Sequence, residues 1–141
     1  MLRVVIDTSV LVAALRSRTG ASNALFRLVA LRRVIPLATP ALFLEYEDVL
    51  SRPAQRAVHG LSDQGIGQFL AGLASGIEPV QVHFAWRPQL HDPADEMVLE
   101  TAINGRADAL VTFNVRDFAS AAAMFGLRVK LPGEILDEVK T

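Results

Sequence analysis

Cysteine is absent from the 141 residues, which excludes a disulfide framework, a thiolate nucleophile and a Cys-based zinc site. A reducing, cytoplasmic setting is the natural expectation for such a chain. Charged residues begin at Arg3 and the first apolar run at Val4, so no basic segment precedes a signal-peptide core. No uninterrupted apolar run approaches the ~18 residues of a membrane span. Lysine is nearly missing: Lys130 and Lys140 are the only two among 14 basic residues, and the rest are arginines, which favour planar, bidentate contacts with phosphate and carboxylate. The net charge of −1 gives the chain as a whole no pull toward nucleic acid. Tryptophan and tyrosine occur once each, and Trp86 and Tyr46 are expected to pack rather than stack on bases. His59, His83 and His91 lack zinc-ligand spacing and read as surface or loop residues; His91 adjoins Asp92, within reach of a substrate there. Repeats, low-complexity tracts and linkers are also lacking, so residues 1–141 are expected to form one domain.

What is present is ample apolar material. At 51% hydrophobic and 21% charged residues the composition argues against disorder, and a chain of this length folds around one core without staples. Arg3 to Ile6 is a short β-branched run that reads as a buried strand ending at Asp7. Val10 to Leu15 continues as a helix. Ser22 or Asn23 is expected to cap a second helix, followed by a strand from Val34 to Leu37 that contains Pro36. Thr39 with Pro40 opens a helix running to about Ser51. Ser62 to Ser75 reads as helix and Ile77 to Val82 as partly extended. Asp92 with Pro93 opens a helix through about Asn104, closed by Gly105. Ala109 to Phe113 is a buried strand, Val115 to Phe125 a short helix, Leu127 to Leu131 a strand and Gly133 to Val139 a last helix. Strands alternating with helices predict an α/β domain around a mainly parallel sheet.

The carboxylates fall where such a sheet binds ligands. Asp7 directly follows the first strand, and ligands of open parallel sheets occupy the crevice at the strands' carboxyl ends; the competing role is an N-cap, which Thr8 or Ser9 could equally fill. Glu45 shares its helix face with Leu42 and Val49, so it is either desolvated in a cleft or reaches out to pair with an arginine such as Arg52. Asp92 suits the N-cap of its helix, whereas Asp95 heads the stripe formed with Leu99 and Ala102 and is expected to point inward. Asn114 and Asp117 add oxygen ligands after the later strand, with an Asx-turn and a helix cap as their ordinary roles. Four acidic positions at one end of one sheet repel each other unless a counter-ion is present, and all-oxygen ligands suit Mg²⁺ or Mn²⁺. A divalent site can activate water for attack on phosphorus without a histidine base.

At this point the sequence resembles the PIN-domain ribonucleases, especially the VapC-like toxins of type II toxin–antitoxin systems. The matching pieces are Val4 to Leu11 around Asp7, then Thr39-Pro40 through Glu45 to Pro53, then Asp92-Pro93-Ala94-Asp95 through Ala102, and Leu110-Val111-Thr112-Phe113-Asn114 with Asp117-Phe118. They stand in the family's order and cover nearly the whole chain. The resemblance implies a three-layer α/β/α fold and an acidic pocket that holds Mg²⁺ or Mn²⁺ for endonucleolytic cleavage of RNA. It makes Asp7, Glu45 and Asp95 the first three family acids, with Asn114 or Asp117 completing the metal site. Thr112, Thr8 and Ser9 correspond to supporting hydroxyls, and Asp92 lies at the mouth. In the mechanism this implies, Glu45 orients or deprotonates the attacking water. A cognate antitoxin and a homodimer are the implied protein partners, with the helix from Ala21 to Leu31 as core or as part of their docking groove. RNA approaching an acidic pocket needs a basic rim, for which Arg16, Arg18 and Arg116 are the first candidates, followed by Arg27, Arg32 and Arg33.

Three other readings stay in view. A phosphatase of the haloacid-dehalogenase type needs a second aspartate two positions after the first, where this chain has Ser9. A Rossmann domain would need glycine at Leu70, following Gly65 and Gly67, and a strand before them. A degenerate PIN domain that binds RNA or a protein without cleaving fits Asn114, and is opposed by the retention of Asp7, Glu45, Asp95 and Asp117.

Overall fold

The computed structural model describes residues 1–83, 90 and 92–140; Trp86 and His91 lie outside them. Five strands, β1 (Leu2–Ile6), β2 (Val34–Ala38), β3 (Glu78–Pro79), β4 (Ala109–Val111) and β5 (Val129–Lys130), form one sheet in the order β3-β2-β1-β4-β5. Every pairing is parallel. Eight helices flank the sheet among the described residues: α1 (Thr8–Arg16), α2 (Ala21–Ala30), α3 (Pro40–Ser51), α4 (Pro53–His59), α5 (Asp63–Gly76), α6 (Pro93–Asn104), α7 (Val115–Met124) and α8 (Pro132–Lys140). None of them is long and apolar enough to cross a membrane.

The central strands are covered on both faces, which is why they read as unbroken apolar runs rather than alternating ones. Val4, Val5 and Ile6 of β1 and Ala109, Leu110 and Val111 of β4 are buried and pair residue for residue. Val10, Leu11, Leu25, Leu42, Leu50, Leu99 and Phe118 bring the helices onto them in a single core. Pro36 is accommodated in β2 because β3 pairs only beyond it, at Leu37 and Ala38. The chain runs outward from β1 through β2 to β3, then returns across α6 to place β4 on the other side of β1. The strand order therefore reverses between β1 and β4, and the crevice of the sheet opens at their carboxyl ends.

Several local expectations are corrected. The second helix starts at Ala21 with Gly20 as its N-cap, so neither Ser22 nor Asn23 caps it. Ser22 is buried without a hydrogen-bond partner, and the Asn23 amide donates to the Ala14 carbonyl at 3.0 Å, tying α2 to α1. Helix α4 was not foreseen; its Pro53 at the first position and Gly60 at the C-cap, with φ 68°, delimit it clearly. Its His59 ring accepts from the Leu61 amide at 2.9 Å and meets the Leu50 carbonyl at 3.0 Å, joining α3 to the start of α5. Gly105 does follow α6, but with φ −84° it supplies no left-handed turn; Arg106, at φ 51°, does. A Cβ on Gly105 would lie 2.9 Å from Val80 and 3.0 Å from Leu37, so glycine is needed there for close approach.

Candidate active site

Three helices begin at the carboxyl edge of β1 and β4 or beside it: α1 after Asp7, α6 after Asp92 and α7 after Asn114. Their positive ends offset part of the negative charge that the sequence gathers there. Asp7 is the most enclosed of the acids, at 2% exposure. Its amide continues the sheet by donating to the Val111 carbonyl at 2.9 Å. It occupies the N-cap position of α1, yet its side chain makes no capping bond. Instead Oδ2 accepts from the Ser9 hydroxyl at 2.8 Å and the Thr112 hydroxyl at 2.7 Å, while Oδ1 has only a long contact of 3.5 Å with the Thr8 hydroxyl.

The two short bonds are halves of two relays. The Ser9 hydroxyl accepts from the Phe113 amide at 3.3 Å, and the Thr112 hydroxyl from the Asn114 amide at 2.9 Å. Each hydroxyl thus accepts a hydrogen bond from the turn after β4 and donates one to Asp7. One carboxylate oxygen is fixed by two short bonds, and the other has only the long Thr8 contact. On the opposite side, the buried Tyr46 hydroxyl donates to the Ile6 carbonyl, docking α3 against the end of β1. Burial, together with the charge of Asp7, pushes the Tyr46 phenol upward, so it remains a protonated donor.

Asp95 registers the electrostatics of the whole edge. Burial pushes its carboxyl from 3.8 to about 6, and the charges of Asp7, Asp92, Asp117 and Glu96 act in the same direction. The fields of Asp7, Asp92 and Asp117 thus converge on one half-buried carboxyl from three separate elements. Asp92 also performs its ordinary task, its Oδ1 accepting from the Ala94 amide at 2.9 Å as the cap of α6. Asn114 and Asp117 are exposed; Asn114 stands at the N-cap of α7 without a side-chain cap bond, and Asp117 lies in the first turn. Glu45 lies on α3 with its side chain 18% exposed, 3.9 Å from Arg52, whose closer partner is Asp48 at 2.7 Å. Its charge is not among those acting on Asp95.

Among the described residues no three carboxylates or imidazoles converge tightly enough to form a ready cage for a cation. The fit to a divalent metal lies in the donors and the charge: oxygen ligands only, an Asp7 oxygen held by nothing closer than the 3.5 Å Thr8 contact, and repulsion at Asp95 that a dication would relieve. Of the basic candidates, exposed Arg116 sits in the first turn of α7, beside Asp117. Arg16 is at the opposite end of α1, about 13 Å along its axis from Asp7, hydrogen bonded to Gln55 at 3.4 Å. Arg18 lies beyond it, and Arg27, Arg32 and Arg33 lie on or just after α2, all exposed. Tyr46 packs as the sequence predicts, but nothing local in the sequence reveals its bond to a carbonyl of β1.

A family model described as PIN domain matches residues 3–116 of the chain. The match takes in Asp7, Glu45, Asp95 and Asn114 and stops one residue before Asp117. No curated protein matches the chain.

Proposed function

The chain belongs to the PIN-domain family, and on that premise we propose that it is an Mg²⁺- or Mn²⁺-dependent endoribonuclease, the toxin of a type II toxin–antitoxin pair. PIN domains are mostly metal-dependent nucleases and generally use divalent metals. The observation that carries the reading is the convergence of the charges of Asp7, Asp92 and Asp117 on Asp95, at the point where the strand order reverses. Such a concentration of acids serves no packing purpose and costs stability without a cation.

In this reading Asp7 and Asp95 hold the metal, with Asn114 or Asp117 completing the set. Bound there, the ion would acidify a water and stabilise charge on the leaving oxygen. Ser9 and Thr112 keep Asp7 in place, with Thr8 behind them, and Asp92 holds the start of α6 so that Asp95 stays at the edge. Glu45 orients the attacking water or takes its proton, and Arg116 meets the phosphate backbone at the rim. The same reading includes a cognate antitoxin that covers the acidic edge, a homodimer and a cytoplasmic setting.

The test compares the wild type with Asp7→Asn and Asp95→Asn. Calorimetric titration with Mn²⁺ should show binding that both variants lose, and cleavage of RNA should fall at least about 100-fold with the melting temperature preserved. Undiminished cleavage by Asp7→Asn, in a preparation free of other nucleases, would defeat the assignment. Absence of both Mn²⁺ binding and cleavage in the wild type would point to a degenerate PIN domain that binds RNA or a protein partner without cutting.

A further inference from the structure

The exposed large hydrophobic side chains among the described residues include one aromatic ring, that of Phe113, which is 48% exposed. It stands between Thr112 and Asn114, at the end of a run in which Ala109, Leu110, Val111 and Thr112 are all buried. Among the described residues the ring lies outside the apolar core and outside the ring contacts of Phe26 with Phe69 and Phe43 with Tyr46. Its backbone, by contrast, is held firmly. The Phe113 amide donates to the Ser9 hydroxyl at 3.3 Å, and that hydroxyl donates to Asp7 at 2.8 Å. The Asn114 amide makes the parallel connection through Thr112. The ring is thereby mounted two hydrogen bonds from the Asp7 carboxylate, on a turn that the acid itself fixes in position. Asn114 and Arg116, which flank it in the chain, are exposed as well.

An unpaired aromatic ring in water beside an acidic centre, with a guanidinium three residues on, is suited to the flat face of a nucleobase whose phosphate lies at the centre. Duplexes bury those faces, and a single strand presents them. The geometry points to Phe113 as a stacking platform for an unpaired base of single-stranded RNA, next to the phosphate that the acids address. This rests on the nuclease reading and deepens it: Phe113 is the residue that takes the base beside the attacked phosphate, with tolerance of sequence there because every base has a π-face.

The test uses the metal-free protein in EDTA at low ionic strength, with a short oligouridylate carrying 2-aminopurine and the same strand annealed to its complement. Wild type and Phe113→Tyr should quench the fluorescence of the single strand, whereas Phe113→Leu should not and should bind it about tenfold more weakly. Affinity for the duplex should be the same in all three. With Mn²⁺ present, Phe113→Leu should raise the KM for single-stranded RNA by a similar factor and leave kcat within about threefold. Quenching and affinity unchanged in Phe113→Leu would overturn the platform, and continued cleavage by the wild type would show that the nuclease reading survives it. An equal loss of duplex and single-strand binding would also overturn it. Should Phe113→Leu fail to fold, the wild type still decides: a single strand bound without quenching overturns the platform. A wild type that neither binds nor cleaves RNA would remove both readings together.

Discussion

Thr112 shows what one hydroxyl does at this site. It is fully buried, donates to Asp7 and accepts from the Asn114 amide, so it links the ends of the two central strands through a side chain. Thr112→Val keeps the shape and removes both bonds. A bond to a charged acceptor is worth about 1.5–3 kcal/mol, and the Asn114 amide loses its acceptor as well. We expect a loss of about 2 kcal/mol in urea unfolding and a 10- to 100-fold weaker response to Mn²⁺, with Thr112→Ser restoring most of both. A valine variant with wild-type metal binding would show that the relay is dispensable. The position of Asp7 was legible in the sequence because it directly follows a buried apolar run, whereas Thr112, read as part of its strand, was marked only by the family resemblance. That Ser9 and Thr112 would share one oxygen of Asp7 was not legible, since the two hydroxyls lie more than a hundred residues apart and meet only through the pairing of β1 with β4. Glu45 is the reverse case: its helix face was readable, while its distance from the aspartates is set by how α3 docks through Tyr46.

At the scale of elements, helices with an apolar stripe and a capping residue were readable in sequence. Thr39 with Pro40 and Asp92 with Pro93 open α3 and α6, and both caps accept the expected backbone bonds. Helix α4 also has a proline at its first position and a terminal glycine, but its N-cap Arg52 makes no side-chain cap bond and none of its residues is buried, so it carries no periodic signal. The end of α6 misleads in another way. A glycine after a helix ordinarily supplies the left-handed residue, yet here that conformation falls to Arg106, while Gly105 lets α6 approach Leu37 and Val80. Substitutions at these neighbours should therefore have opposite signs. Gly105→Ala forces Cβ against Val80, Leu37 and the Thr101 carbonyl, and is expected to cost about 1–3 kcal/mol. Arg106→Gly relieves the left-handed strain and should gain about 0.5–1 kcal/mol, since the bond that Arg106 accepts from Arg3 uses its backbone carbonyl. Equilibrium unfolding of the two variants decides the matter, and a stabilised Gly105→Ala would refute the packing explanation.

For the whole molecule, the order of the sheet decides where charge accumulates. Alternating strands and helices could be read from the sequence, but the reversal between β1 and β4 depends on which strands pair across the long excursion through β2 and β3. That reversal brings Asp7, Asp95 and Asp117 to one edge, where burial first and the neighbouring charges second raise Asp95 to about 6. The sign of the consequence follows from comparing states. In the unfolded chain Asp95 titrates near its ordinary 3.8, so between that value and 6 the folded protein holds a proton that the unfolded chain has released. The associated stability is fully present below about 4 and is lost as pH rises through 6. Metal-free protein should accordingly melt at lower temperature at pH 7.5 than at pH 5 from this group, and Asp95→Asn should flatten the profile across that interval. A dication favours the ionised carboxylates, so the rise in melting temperature produced by Mn²⁺ should be small at pH 5 and grow toward pH 7.5. A Mn²⁺ effect that is independent of pH, or one that persists in Asp95→Asn, would place the ion somewhere other than this edge.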